Sequence, residues 1–275
     1  MIKIKPNEYE VLRTFIKKQC GINLGGNKSY LIETRLSDLV LEYGHNNYLD
    51  FYKKAEKDPA LVERIIDAMT TNETFWFRDT LVWKAISDII IPQIVEKAKT
   101  KKKVRVWFGA CSTGQEVYSF LMMLNEHLQK TGQKYVLELV ELIATDISPS
   151  VLFQAKSGRY SGISMERGLP QFFKEKYFVS KEKVWLFDPN LRKRVNFKKL
   201  NLQESFVSLG NFDLVFLRNV LIYFSAETKK EIIKKTAARM AAGSPLILGS
   251  TESIRDFSNE FSISYKNNVM INYKK

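Results

Sequence analysis

Histidine and cysteine are scarce in this sequence, which has two of each among 275 residues. The cysteines are Cys20 and Cys111, and they form no metal-ligand spacing with the histidines, His45 and His127. We therefore expect no metal site. Because two cysteines cannot build a disulfide framework, their small number also favours a protein of a reducing compartment.

Long apolar runs are also absent. No stretch approaches the roughly 20 apolar residues needed to cross a bilayer. The start, MIKIKPNEYE, has a charge at nearly every other position and no signal-peptide core. We therefore expect a cytoplasmic protein that is not inserted in a membrane. An apolar content of 45% and a charged content of 27% are typical of a globular chain, and the length leaves room for one large or two modest domains.

Positive charge is concentrated in one part of the chain. The net charge is +13. Residues 1–72 have eleven Lys/Arg and ten Asp/Glu, a net of +1, which leaves 32 minus 20, or +12, on residues 73–275. A surface of this sign attracts nucleic acid or an acidic protein, and charge alone leaves both alternatives open.

A strand, a small-residue loop and a helix follow one another in VRVWFGACSTGQEVYSF, residues 104–120. Such a loop lets a ligand approach the backbone next to a helix N-terminus, although an ordinary turn of an α/β domain has the same pattern. A second buried strand, residues 139–146, ends in Asp146, where an acid is placed to hold ribose hydroxyls. Ser148 and Pro149 already supply the cap and first turn of the next helix, which leaves Asp146 for another role. The two segments together favour an adenosyl or dinucleotide ligand.

The other segments complete an α/β fold. Helical periodicity predicts a small all-α domain over residues 1–72. Thr70–Asp79, TTNETFWFRD, is either a helix end with buried aromatic residues or a linker over the ligand pocket. A helix from Asp79 to Pro92 and a basic connector then lead to residue 104. Residues 159–200 predict a small antiparallel insertion with strands near 184–187 and 195–199, and residues 212–217, 245–248 and 261–273 predict further strands.

Six motifs occur in order along the chain: TTNETFWFRD, ACSTGQEVYS, ATDIS, NLQE, RNVLIYF and LGSTES. With them the sequence resembles the CheR-type chemotaxis-receptor glutamate O-methyltransferases over essentially its whole length. The resemblance implies a Rossmann-like S-adenosylmethionine-dependent methyltransferase with S-adenosylhomocysteine as product. It implies a helical domain (1–72), a linker and connecting helix (73–103), and a catalytic domain (104–275) with a β-subdomain insertion at about 159–200.

The resemblance also implies which residues form the site. Asn72, Thr74 and Arg78 approach the cofactor, the loop 110–114 lies beneath it, and Glu116 helps to hold it. Asp146 matches the residue that binds the ribose hydroxyls, and Asn201 and Leu202 match the pair at the adenine. Arg218, Asn219 and Tyr223 line the methyl-transfer site, with Arg218 and Asn219 also counted among the cofactor-binding residues. Arg78 and Tyr223 are the expected catalytic residues, although a core aromatic is the simpler interpretation of Tyr223 taken alone. Val117 stands where the family usually has proline, which should reduce rigidity and leave the contacts intact.

The partner implied by the resemblance is the cytoplasmic signalling domain of a chemoreceptor, an acidic helical bundle. In some members the β-subdomain also grips a receptor tail peptide, and the sequence leaves open whether it does so here. No nucleic acid is expected, but two alternatives are weighed. A nucleic-acid methyltransferase is suggested by the basic half of the chain and by Asn219 and Tyr223, although its motif usually has prolines between Asn and Tyr. A module that binds the cofactor or receptor without turnover is disfavoured by the intact Arg78, Asp146 and Tyr223.

Overall fold

The computed structural model describes residues 2–26, 28–101, 103–266 and 269–275. Its first part is helical and has its own apolar core. The helices are α1 (Pro6–Cys20), α2 (Ser29–Glu42), α3 (Tyr48–Ala55) and α4 (Pro59–Met69). α1 ends at Gly21 in the left-handed conformation (φ 78°), and the Asp58 carboxylate caps α4. Across the described ranges, no helix is both long enough and apolar enough to cross a membrane.

The connecting helix is longer than expected. It consists of α5 (Thr80–Ala85), one π-helical turn (Ile86–Ile90) and α6 (Ile91–Lys101). The prediction that it ends at Pro92 is wrong. A proline inside a helix lacks an N–H and clashes with the carbonyl of the preceding turn. Here a π turn directly before Pro92 changes the regular hydrogen-bond spacing, and the helix continues past the proline.

The rest of the chain alternates strands and helices. In order these are β1 (Val104–Gly109), α7 (Gln115–Lys130), β2 (Val140–Asp146), α8 (Pro149–Ser157), β3 (Arg159–Ser161), α9 (Gly162–Glu166), α10 (Gln171–Tyr177), β4 (Phe178–Lys181), β5 (Val184–Phe187), α11 (Pro189–Arg192), β6 (Val195–Lys199), β7 (Leu214–Leu217), α12 (Ala226–Ala237), β8 (Pro245–Leu248), β9 (Phe261–Lys266) and β10 (Val269–Lys274). Single 3₁₀ segments lie at Lys134–Leu139, Val207–Leu209 and Leu221–Tyr223.

Seven strands of the described chain form a sheet in the order β6-β2-β1-β7-β8-β10-β9. β10 is antiparallel to both of its neighbours, and the remaining pairs are parallel. Alternate side chains of β1 enter different cores, Val106 and Phe108 on one face and Trp107 on the other. The direction of winding reverses between β1 and β7, and ligands of such sheets bind at the carboxyl ends of the strands at this point. The predicted Rossmann-like sheet is confirmed.

Three short strands form the small antiparallel sheet, in the order β3-β5-β4. The antiparallel insertion is therefore confirmed, but one strand was assigned to it wrongly. Val195–Lys199 (β6) is the edge strand of the large sheet, parallel to β2. Its short alternating pattern is the same in either sheet, so its partner could not be known from the pattern.

Candidate active site

A cleft lies at the carboxyl ends of β1, β2 and β7 and encloses about 970 Å³, including its opening to solvent. This size is within the range of small-molecule sites. Its walls include all ten side chains predicted as site residues, which are Asn72, Thr74, Arg78, Glu116, Asp146, Asn201, Leu202, Arg218, Asn219 and Tyr223. The cleft therefore brings together residues that are up to about 150 positions apart in the sequence.

Asp146 lies at the end of β2 and is almost fully buried. Its Oδ2 accepts a hydrogen bond from the Ser112 N–H (2.8 Å), and its Oδ1 accepts one from the Ser148 N–H (3.0 Å). Ser148 caps α8 as expected, and Asp146 also accepts from the backbone because the loops after β1 and β2 both need an acceptor there. Burial raises the pKa of Asp146, and the backbone N–H groups partly offset the increase. Two carboxylate oxygens have about four acceptor positions, so capacity for ligand hydroxyls is left.

The loop after β1 is shaped by packing as much as by ligand access. Ala110, Cys111 and Ser112 line the cleft, and Ala110 and Ser112 have positive φ angles (55° and 48°). A Cβ at Gly109 would lie 2.6 Å from Leu217, and one at Gly114 would lie 3.1 Å from the Ala155 Cβ. The two glycines thus let the loop pack closely on its neighbours, while Ala110, Cys111 and Ser112 line the cleft.

Thr70–Asp79 has irregular structure and combines both interpretations made from its sequence. Trp76 is fully buried and donates from Nε1 to the Ser164 carbonyl (2.8 Å). The Asn72 carbonyl accepts a hydrogen bond from the Ser112 hydroxyl (2.8 Å), which ties this segment to the loop after β1. The buried aromatic ring therefore anchors a segment whose polar residues line the cleft.

Arg78 is a cation of this segment that has no ion-pair partner among the described residues. Its closest polar contact is a long one, 3.5 Å from Nη1 to the Glu73 carbonyl, and the guanidinium carbon lies 5.4 Å from the centre of the Phe75 ring. No carboxylate of the described residues lies within 4.0 Å of it. A half-buried guanidinium of this kind is suited to bind a carboxylate with paired hydrogen bonds.

Arg218 is paired instead with two partly buried acids. One guanidinium nitrogen lies 2.6 Å from the Glu116 carboxylate, and the other lies 2.9 Å from the Asp79 carboxylate and 2.7 Å from the Arg78 carbonyl. Its side chain is only 1% exposed. Burial raises the pKa of Glu116, and the positive charge of Arg218 opposes the increase. Arg218 thus joins α7, β7 and the segment before α5 into one wall of the cleft.

Asn219 and Tyr223 follow on the same loop. Asn219 has a left-handed backbone (φ 57°), and its Oδ1 is buried without a donor from the described residues. The Tyr223 carbonyl accepts a hydrogen bond from the Asn23 N–H (2.8 Å), and its half-buried ring lines the cleft. A buried acceptor without a partner is rare in folded proteins, and this one belongs to a residue that lines the cleft.

The helical part of the chain supplies wall residues that the sequence analysis did not include. Cys20 and Ile22, at the end of α1, line the cleft. The Asn201 amide donates to the Gln19 carbonyl (2.7 Å), so this side chain fastens the two parts of the chain together. Burial raises the pKa of Cys20 to about 11 and that of Cys111 well above its usual value, which leaves both thiols unreactive near neutral pH. No local pattern in the sequence indicates that the end of α1 forms part of the cleft wall, because this contact depends on long-range packing.

Family models match the chain over most of its length. Residues 72–270 match the S-adenosylmethionine-binding domain of CheR methyltransferases, and residues 7–70 match their all-alpha domain. The chain is similar to chemotaxis protein methyltransferase 1 of Pseudomonas aeruginosa, with 39% identity over 93% of each chain. It is 37% identical to chemotaxis protein methyltransferase Cher2 of Pseudomonas putida, over 93% of this chain and 94% of that one. The corresponding protein of Borreliella burgdorferi is 35% identical, over 94% and 92%.

These matches confirm the resemblance that the ordered motifs indicate, and they extend over both parts of the chain. The cleft described above lies mainly within the matched S-adenosylmethionine-binding domain, at the switch point of its sheet. The chain therefore belongs to the CheR family of S-adenosylmethionine-dependent methyltransferases.

Proposed function

We propose that this enzyme transfers the methyl group of S-adenosylmethionine to glutamate side-chain carboxylates on the signalling helices of a chemoreceptor, forming methyl esters in chemotaxis adaptation. One observation carries the proposal. The unpaired Arg78 guanidinium and the Tyr223 ring line the same cleft of a CheR-family methyltransferase. The names of the relatives, which are chemotaxis protein methyltransferases, support the same function.

The side chains of the cleft fit the cofactor. Asp146 has acceptor capacity for the ribose hydroxyls, and Leu202 offers an apolar contact for the adenine beside Asn201. Arg78 fits the cofactor carboxylate or the acceptor carboxylate, and the unsatisfied Asn219 Oδ1 fits an N–H donor such as the cofactor ammonium. When bound, the cofactor supplies a methyl group on a positively charged sulfur. Glu116 supports this site through Arg218, and Asn72 and Thr74 form its rim.

The acceptor chemistry needs no general base. A glutamate carboxylate, with an ordinary pKa near 4.3, is already ionised at neutral pH and is itself the nucleophile. Neither His45 nor His127 lines the cleft. The first task of the protein is then to orient the carboxylate, which Arg78 can do by paired hydrogen bonds. The second is to exclude water while the negative carboxylate approaches the positive sulfonium and their charges cancel. The Tyr223 hydroxyl is proposed to lie beside the transferred methyl.

The charge distribution supports an acidic protein as the substrate. Residues 73–275 have a net charge of +12, and an acidic helical bundle that carries the target glutamates would be attracted to this surface. Action in the cytoplasm is part of this proposal, because receptor signalling domains lie there. So is the division into a helical domain (1–72), a linker (73–103) and a catalytic domain (104–275).

A receptor tail peptide is a second contact that we include in the proposal. The small sheet ends in β4, an edge strand on which Val179 is exposed, and an extended peptide can add a strand to such an edge. Fluorescence titration with the C-terminal peptide of a receptor from the same organism should saturate. A peptide of the same composition in scrambled order serves as the control, and equal binding of both would contradict this contact.

The function is tested by incubating the protein and labelled S-adenosylmethionine with a receptor signalling fragment or with total RNA. We expect label on the receptor fragment that mild alkali releases, because methyl esters hydrolyse readily. Salt-sensitive incorporation into RNA would instead favour the nucleic-acid alternative. Cofactor binding without transfer to any receptor of the organism would favour a module that does not turn over.

A further inference from the structure

Glu252, in the LGSTES motif, is a buried acid to which neither the sequence analysis nor the proposed function gives a role. It is 6% exposed and follows β8. Its Oε2 accepts hydrogen bonds from the N–H groups of Asn219 (2.6 Å) and Gly249 (2.9 Å), and its Oε1 accepts one from Leu221 (2.9 Å). One carboxylate thus satisfies three backbone donors from two loops.

These loops leave neighbouring strands at the same edge of the sheet. β7 and β8 are parallel, with Leu217 opposite Leu248, so residues 218–221 and 249–252 lie side by side at the carboxyl ends. The first of these loops leads directly to Tyr223. Charge-assisted hydrogen bonds are among the stronger ones in proteins. The Glu252 carboxylate therefore fixes the path of the loop 218–221, which lines the proposed methyl-transfer site.

The conformation of Asn219 shows what Glu252 holds in place. Its backbone is left-handed (φ 57°), a conformation that asparagine adopts more readily than most residues with a side chain. Its amide also packs against a glycine, since a Cβ at Gly249 would lie 2.5 Å from the Asn219 Nδ2. Glu252 holds the backbone and Gly249 makes room for the amide, so both fix the position of Asn219, which lines the cleft.

We propose that Glu252 is a positioning residue for methyl transfer, which acts through Asn219 and the loop to Tyr223 without contacting the reacting atoms. The proposal rests on the function proposed above. Because misplacement of a reacting group by about 1 Å can lower a rate by on the order of 100-fold, loss of this fixture should reduce kcat. Affinity for the product should fall less than kcat, because Glu252 does not itself line the cleft and reaches the cofactor only through Asn219.

Glu8 provides a matched control. It is a buried acid (4% exposed) that also accepts three backbone hydrogen bonds, from Lys5 (2.8 Å), Tyr48 (3.1 Å) and Leu49 (3.3 Å), but it lies in the helical part of the chain away from the cleft. Glu8→Gln and Glu252→Gln make the same chemical change to the same kind of contact. Any loss of stability that follows from this change should therefore be similar in the two variants.

The experiment compares Glu252→Gln, Gly249→Ala, Glu8→Gln and the wild type by calorimetric titration with S-adenosylhomocysteine, melting temperature and methyl-transfer kinetics. We expect kcat to fall about 10- to 100-fold in the first two variants, with a smaller rise in the dissociation constant. Glu8→Gln should keep the wild-type kcat. An unchanged kcat in Glu252→Gln, or equal kcat losses in Glu252→Gln and Glu8→Gln, would overturn the proposal.

Amide hydrogen exchange separates this inference from the proposed function, because it requires no methyl acceptor. In Glu252→Gln the side chain can accept through one oxygen atom instead of two, so exchange of the Asn219, Gly249 or Leu221 amide should accelerate on the order of tenfold. Unchanged protection of all three amides would overturn the inference even if receptor methylation is found. If the wild-type protein transfers no methyl group while the amides respond as expected, the proposed function fails and the Glu252 contact stands.

Discussion

Replacing Arg218 by methionine should destabilise the protein strongly, because it removes a buried cation and leaves its acidic partners in place. The Glu116 side chain is 16% exposed, and the Asp79 side chain is 26% exposed. Breaking a buried pair from one side costs about 3 to 5 kcal/mol in general. We take the lower end, about 3 kcal/mol, because the more exposed Asp79 can regain water. For a protein of this size that is a fall in melting temperature of roughly 6 to 12 °C.

The loss should also depend on pH, in a direction that the structure gives. Burial raises the pKa of Glu116, and Arg218 opposes that increase, so Arg218→Met should raise this pKa further. A carboxyl group whose folded-state pKa lies above its unfolded value binds its proton more tightly in the folded state. Its contribution to stability therefore falls as the pH rises and recovers as the pH falls. The stability that Arg218→Met lacks relative to the wild type should therefore become smaller as the pH is lowered from about 8 to about 5.

Scanning calorimetry of the ligand-free protein across this pH range measures the deficit. Arg64→Met is the control, because Arg64 makes a two-point ion pair with Glu42 (2.7 Å for each contact) that is exposed to solvent. Solvent screens such pairs, so this variant should melt close to the wild type. Equal melting temperatures of Arg218→Met and the wild type, or a deficit that grows as the pH falls, would refute the role given to Arg218.

Three further variants test separate parts of the site. Asp146→Asn should weaken S-adenosylhomocysteine binding about 5- to 150-fold in calorimetric titration, because the amide loses acceptor positions; unchanged affinity would remove Asp146 from the site. Tyr223→Phe should lower kcat on the order of tenfold and leave product affinity unchanged, whereas a change confined to affinity would contradict a role beside the methyl group. Gly168→Ala should weaken product binding, because its Cβ would collide with the Trp76 carbonyl and displace the segment that carries the cleft residues. Gly132→Ala has a similar positive φ (71° against 81°) with no atom within 4 Å, so it should keep full affinity; equal losses in both variants would contradict the collision.

The parts of the fold that were predictable from the sequence are those whose signals are local. β1, the small-residue loop and α7 follow from a short apolar run, a cluster of small residues and helical periodicity within about 20 positions. The cap at Ser148 was recognised for the same reason, since its side chain bonds to the next turn. The ordered motifs then brought the ten proposed site residues together, and all ten line one cleft.

The missed features depend on residues distant in the sequence. The pattern of Val195–Lys199 does not reveal that β2 is its partner, and nothing near Asp146 indicates that Ser112, 34 positions earlier, uses its carboxylate. Glu252 was quoted within a motif but received no role, since its contacts are about 30 residues away. Long-range hydrogen bonds of buried acids have no periodic signature, and they were found only when backbone donors could be matched with acceptors in three dimensions.

The most direct test of the central claim is to locate the transferred methyl group by tandem mass spectrometry on a receptor signalling fragment treated with the enzyme and isotopically labelled S-adenosylmethionine. We predict label on glutamate side-chain carboxylates, lost on mild alkaline treatment and absent when Asp146→Ala replaces the wild type. Label on lysine, on the chain terminus or on nucleic acid, or no label on any receptor of the organism, would contradict the account.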